Sequence, residues 1–113
     1  MHESSLAREL LRIALERAAA ERASSVVRVV AWAAETEALS QETLRLHFAA
    51  AARGTLADGA VLDVQLTHVS ARCRACGAEF LPEHHLLVCS ACGGLDADVL
   101  GRVGLGVDSI EVT

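Results

Sequence analysis

Residues 73–93 read CRACGAEFLPEHHLLVCSACG, and the way this stretch is understood settles the rest of the chain. It holds two CxxC pairs, Cys73/Cys76 and Cys89/Cys92, each followed by a glycine, Gly77 and Gly93. Two intervening residues let one tight turn aim both sulfurs of a pair at the same ion. A glycine behind the pair suits a turn with positive φ and lets backbone N–H groups approach the sulfurs. Four thiolates fill the tetrahedral shell of zinc and leave no open position for a substrate water. Redox-active CxxC pairs or four buried thiols are the competing readings, and an iron centre of rubredoxin type is the competing ion. The surrounding segment, about residues 70–99, has few large apolar side chains, among them Phe80, Leu81, Leu86, Leu87 and Val88. That is too little to fold without a metal, so the expected role is structural Zn(II).

The flanking sequence must then form a body from which this segment departs and to which it returns. Upstream, Leu6, Leu10, Ile13/Ala14 and Ala18 recur at helical spacing behind Ser4 or Ser5 as caps, which predicts a helix over about 4–22. The β-branched run at 25–33 predicts a strand, with Arg28 marking a partly covered face. A second helix is expected from near Ser40, with Leu44, His47, Phe48 and Ala51 on one side, stopping before Gly54. After a turn at Asp58-Gly59, Leu62, Val64 and Leu66 alternate with Asp63, Gln65 and Thr67 in a strand with one wet face. Downstream of the cysteines, Val103, Leu105 and Val107 share one parity and Ile110 and Val112 the other, a phase change at Asp108-Ser109 that predicts a β-bulge. The fold class is therefore α+β: two helices on a three-stranded sheet, with a zinc-ribbon-like four-cysteine domain inserted before the last strand. The expected domains are 1–69 plus 100–113, and 70–99.

Bulk properties narrow the function classes. The chain has 113 residues, a formal charge of −5 and 52% hydrophobic residues, enough for one compact core or one small core plus a stapled subdomain. All ten cationic residues are arginine. No apolar run approaches the roughly eighteen residues of a membrane span, and charges within the first twenty residues break any secretory segment. Cysteines paired for metal in such a chain lead to the expectation of a cytoplasmic protein. The acidic balance and the shortage of aromatics argue against nucleic acid.

The chain begins Met1-His2-Glu3. A free α-amine, the backbone nitrogen of residue 2 and the Nδ1 of a histidine there close a five- and a six-membered ring on a metal. The Glu3 nitrogen or carboxylate could supply a fourth donor, a set that suits Ni(II) or Cu(II). His84 and His85 read as an exposed turn between ribbon strands, with a second metal contact as the sharper alternative. His47 and His68 read as packing or surface residues.

These features together resemble the HypA/HybF family, nickel metallochaperones that help mature [NiFe]-hydrogenase and, in some organisms, urease. The resemblance rests on Met1-His2-Glu3, the four cysteines, the Ser109-Ile110-Glu111-Val112 ending and the element order. It implies a nickel site at Met1, His2 and Glu3 with His2 indispensable, Ni(II) as transient cargo, and structural zinc at Cys73, Cys76, Cys89 and Cys92. The partners it implies are a HypB-type GTPase, the apo-hydrogenase large subunit and, in some members, urease maturation proteins, for a monomer or weak homodimer. The stretch Ala33–Gln41 departs from the family's usual Ile-Gly-x-Leu-Ser-like segment and Pro-Glu pair, and Gly104 and Gly106 stand where bulkier residues are common. A zinc-ribbon adaptor without nickel delivery is the competing function. With the zinc shell closed and no nucleophile motif or phosphate loop, an enzyme is not expected.

Overall fold

A computed structural model of the chain describes residues 2–35, 39–83 and 86–113. The order along it is α1 (Glu3–Ala20), β1 (Val26–Glu35), α2 (Gln41–Ala52), β2 (Val61–His68), β3 (Ser70–Cys73), β4 (Glu79–Phe80), β5 (Ala97–Leu100) and β6 (Gly104–Val112). Two three-stranded sheets result, ordered β2-β1-β6 and β4-β3-β5. The fold is α+β, as expected, and a cluster of four cysteines accompanies the second sheet. The chain divides into two compact units, one of Met1–Ala33, Leu39–Leu66 and Leu105–Thr113, the other of Ala34–Ala38 and Thr67–Gly104.

In the first unit, α1 is rich in Leu, Ala, Arg and Glu, all good helix formers. It buries Leu6, Ala7, Leu10, Leu11, Ala14 and Ala18, the stripe that its periodicity predicts. Outside, Arg12 bridges Glu9 and Glu16 at i,i+3 and i,i+4. The helix ends in a Schellman motif: the Ala23 N–H donates to the Ala18 carbonyl and the Arg22 N–H to that of Ala19. Arg22 takes the left-handed position, φ +54°, that glycine usually fills. Helix α2 starts where expected, with the Ser40 side chain accepting from the Thr43 N–H at 3.2 Å. It buries Leu44, Phe48 and Ala52, but His47 is exposed and does not share that face.

In β2, Leu62 and Val64 are buried and Val61, Asp63, Gln65 and Thr67 exposed, the alternation read from the sequence. As an edge strand, β2 would present unpaired carbonyls. Gln41 and Arg45, one turn apart on α2, donate to the carbonyls of Val64 (2.8 Å) and Leu62 (3.0 Å). A helical i,i+4 step thus matches a strand i,i+2 step. On the other side, Ser25 and Thr113 exchange both backbone hydrogen bonds, the mark of an antiparallel pair.

The phase change near Asp108 is present: Val107 is buried, Asp108 and Ser109 are exposed, and Ile110 and Val112 pack on the core. It is not confined to that strand. In β1, Val26 and Val29 both enter the core while Val27 and Arg28 stay out, so that strand has a phase change of its own. On the wet face, Arg28 lies 3.5 Å from Asp63 of β2 and 3.7 Å from Glu111 of β6. Gly106 lies under the Trp32 ring, where a Cβ would come within 2.6 Å of Nε1.

Candidate metal centres

In the second unit, β3 is central, with Ala71 opposite Phe80 and Val99, and Arg72 opposite Glu79 and Asp98. The buried cluster is small: Ala71, Cys73, Phe80 and Cys89, with Ala78, Leu87 and Ala97 packed against it. Two cysteines are thus among its four buried members.

The two CxxC turns repeat each other bond for bond. Cys73 N–H donates to the Ala78 carbonyl and Gly77 N–H to that of Cys73; Cys89 N–H donates to the Gly94 carbonyl and Gly93 N–H to that of Cys89, all at 2.9 Å. Gly77 and Gly93 have φ of +75° and +72°, the conformation that only glycine adopts without steric cost. In each pair the first cysteine is buried and the second exposed. Sγ of Cys73 is 3.6 Å from that of Cys92, as is Cys76 from Cys89, and all four sulfurs lie within 4.8 Å of one another. A tetrahedron with metal–sulfur bonds of about 2.3 Å has edges of about 3.8 Å, so the donor set fits one ion. The four cysteines are thus placed so that they could hold one metal ion, whose tetrahedral shell four thiolates would fill.

The electrostatics point the same way. Backbone N–H groups of Cys92 and Ala91 favour the Cys89 thiolate and bring its pKa down to about 7. The matching donors from Cys76 and Ala75 lower that of Cys73. At Cys76 and Cys92 a single N–H, from Ala78 and Gly94, favours the thiolate but is outweighed by neighbouring sulfurs and burial. Cys76 is raised, and Cys92 is pushed up to about 12. Four negative sulfurs cannot share this volume unaided; a divalent cation resolves the conflict.

Two supporting contacts were not legible in the sequence. A Cβ on Gly94 would sit 3.2 Å from Cys92 Sγ and 3.4 Å from Cys73 Sγ, so the second glycine of Gly93-Gly94 clears space for the cluster. Arg74, inside the first knuckle, donates to the carboxylates of Asp96 and Asp98 and so ties that knuckle to β5. A CxxC spacing rule ignores the residues between the cysteines, which is why this link escapes it.

At the other candidate site, α1 begins earlier than the serines suggest. His2, not Ser4 or Ser5, is the N-cap: its φ/ψ of −73°/151° is extended and its carbonyl accepts from the Leu6 N–H at 2.9 Å. The His2 side chain makes no capping bond and is exposed. Glu3 is thus the first helical residue, and the first four N–H groups of a helix have no intrahelical acceptor. One Glu3 carboxylate oxygen, Oε2, is buried with no hydrogen-bond partner among the described residues. An acceptor shielded from water and unmatched by a donor is unfavourable unless a cation or donor arrives. Met1, which completes the expected nickel triad, lies outside the described residues, as do His84 and His85 and residues 36–38 of the divergent stretch. His68 is half-buried, with Nδ1 2.8 Å from the Val69 carbonyl oxygen.

Residues 1–112 match the family described as hydrogenase/urease nickel incorporation metallochaperone, HypA. A hydrogenase maturation factor HypA of Chlorobaculum tepidum is 37% identical over 112 residues, covering 99% of both chains. That of Dehalococcoides mccartyi strain CBDB1 is 33% identical, covering 99% of this chain and 94% of its own. The solution structure of the Ni metallochaperone HypA from Helicobacter pylori superposes with a TM-score of 0.64, covering 99% of this chain and 97% of that one; at 24% identity the likeness is one of fold. Matched over almost its whole length, with a closed four-cysteine site and a Met-His-Glu start, the chain belongs to the HypA family of metallochaperones, which carry metal and do not catalyse.

Proposed function

We propose that this protein binds one Ni(II) through Met1, His2 and Glu3 and delivers it to the precursor of a nickel enzyme, [NiFe]-hydrogenase. The observation that carries the reading is the start of α1 at Glu3, within a chain whose relatives are named hydrogenase maturation factors. Two consequences support it. The backbone nitrogens of His2 and Glu3 precede the first intrahelical hydrogen bond, so coordinating them costs the helix none. The buried Oε2 of Glu3, without a partner among the described residues, offers negative charge beside them. His2 is exposed, so cargo can be gained and passed on without unfolding.

In this reading, Zn(II) at Cys73, Cys76, Cys89 and Cys92 holds the second unit together and takes no part in nickel exchange. A HypB-type GTPase and the apo-hydrogenase large subunit are the proposed partners. The test is a calorimetric Ni(II) titration of zinc-loaded, untagged protein whose intact mass shows a free Met1 amine, beside His2→Ala. One nickel bound by the parent and lost in the variant supports the terminal site. Affinity should also fall steadily from pH 8 to pH 5.5, because amine and imidazole bind metal only when deprotonated. Equal binding by both proteins, or binding flat across that range, would leave a zinc-stapled adaptor without nickel delivery.

A further inference from the structure

The second unit places its aliphatic side chains in an unexpected way. Its core is built from alanines, cysteines and one phenylalanine, yet Leu81, Leu86 and Val88 stay 60%, 62% and 44% exposed. They are not scattered. The Glu83 carbonyl accepts from the Leu86 N–H at 2.9 Å, and the two residues form an isolated antiparallel bridge. From there Leu86 points out, Leu87 packs inward and Val88 points out again, so Leu86 and Val88 share one face. With Leu81, Glu83 and Ser90 they line an open groove of about 360 Å³. A unit so short of core material would gain by burying these residues, and a grouped apolar surface marks an interaction site.

The charges say what kind of partner fits. Glu79, Asp96 and Asp98 are each paired with an arginine, but Glu83 has no ion pair among the described residues. It is the one charged residue lining the groove among those described. The chain as a whole carries −5. A second copy would bring like charge to like. We propose that this groove docks a segment of another protein that presents one large apolar side chain next to a lysine or arginine. The apolar side chain would fill the space among Leu81, Leu86 and Val88, and the cation would pair with Glu83. This reading is independent of nickel binding at the N-terminus.

The experiment uses zinc-loaded full-length protein with labelled methyl groups, titrated with N-acetyl-Trp-Arg-amide and, separately, N-acetyl-Trp-Glu-amide. The expected result is saturable shifts at the Leu86 and Val88 methyls, with the arginine probe binding at least fivefold tighter. Glu83→Gln should cut that preference below twofold while the methyl shifts persist, and Leu86→Ser should remove them. Zinc content and amide dispersion of β3–β5 check folding; if Leu86→Ser fails that check, Leu86→Met, which should bind within threefold of the parent, and Glu83→Gln carry the test. Unmoved methyls, equal affinity for the two probes, or sedimentation showing that the groove is already covered by a second copy would each overturn the proposal.

Discussion

Gly106 should be harmful to replace for a reason that reverses when its neighbour is changed. A Cβ at this position would lie 2.6 Å from Trp32 Nε1, 3.0 Å from Cε2 and 3.3 Å from Cζ2. Ordinary heavy-atom contact needs about 3.5–4.0 Å, so the indole must move by about 1 Å. Overpacking of this kind costs about 1–3 kcal/mol. Against it stands the entropy recovered when alanine replaces glycine within a strand, about 0.5–1 kcal/mol. Gly106→Ala should therefore destabilise by up to about 2.5 kcal/mol, the largest difference between those two ranges. In a Trp32→Val background the clash is gone and only the backbone gain remains, so the same substitution should stabilise by about 0.5–1 kcal/mol. Other contacts of Trp32 cancel, because each comparison is made within one background. The assay is urea unfolding of the zinc-loaded protein followed by circular dichroism, across the four proteins of the cycle. Trp32 is the sole tryptophan, and its emission should also shift to the red in Gly106→Ala as the ring is pushed toward water. An effect of the same sign in both backgrounds would refute the reasoning.

Gly94→Ala should weaken zinc binding about tenfold in chelator competition, since its Cβ forces two sulfurs out of place and disturbance around a metal shell commonly costs about 10–100-fold; unchanged affinity would mean the knuckles yield freely. Removing zinc by chelation should collapse the amide dispersion of β3–β5 while α1, α2 and the first sheet keep theirs; full dispersion in the apo protein would show the metal is not structural. Hydrogen bonding from Arg74 lowers the pKa of Asp98. A depressed folded-state pKa gives a contribution that is complete above the ordinary carboxylate range and disappears as pH falls through the lowered value. Arg74→Gln should therefore shift unfolding of this unit equally at pH 6 and pH 8, and a difference between the two would contradict the assignment.

The parts of the fold set by periodicity were open to reading from the sequence: the buried stripe of α1, the alternation of β2, the start of α2 near Ser40 and the phase change after Val107 all stand where the pattern put them. Element ends were less open. Two serines looked like a cap for α1, but the helix takes its first turn at Glu3 because the His2 carbonyl is already bonded. The strand expected over 25–33 continues to Glu35, although its last residues carry little β-propensity. What the sequence hid were approaches in space between distant positions. The clearance at Gly94 and Gly106, the covering of the β2 edge by Gln41 and Arg45, and the reach of Arg74 to Asp96 and Asp98 leave no periodic trace. The gathering of the four cysteine sulfurs was legible because the chemistry of one ion imposes such a spacing.

Each sheet carries an arginine on its central strand, between acidic residues of both outer strands: Arg28 with Asp63 and Glu111, and Arg72 opposite Glu79 and Asp98. In the second sheet this arrangement acts as a latch on alignment. Slippage of β3 by one residue would send Arg72 to the far face and part it from both acids at once. The neighbouring residue is Cys73, whose sulfur points the opposite way, into the cluster. The polarity of the wet face thereby fixes the aim of the first thiolate, so the metal site is aligned from the side of the sheet that it never touches.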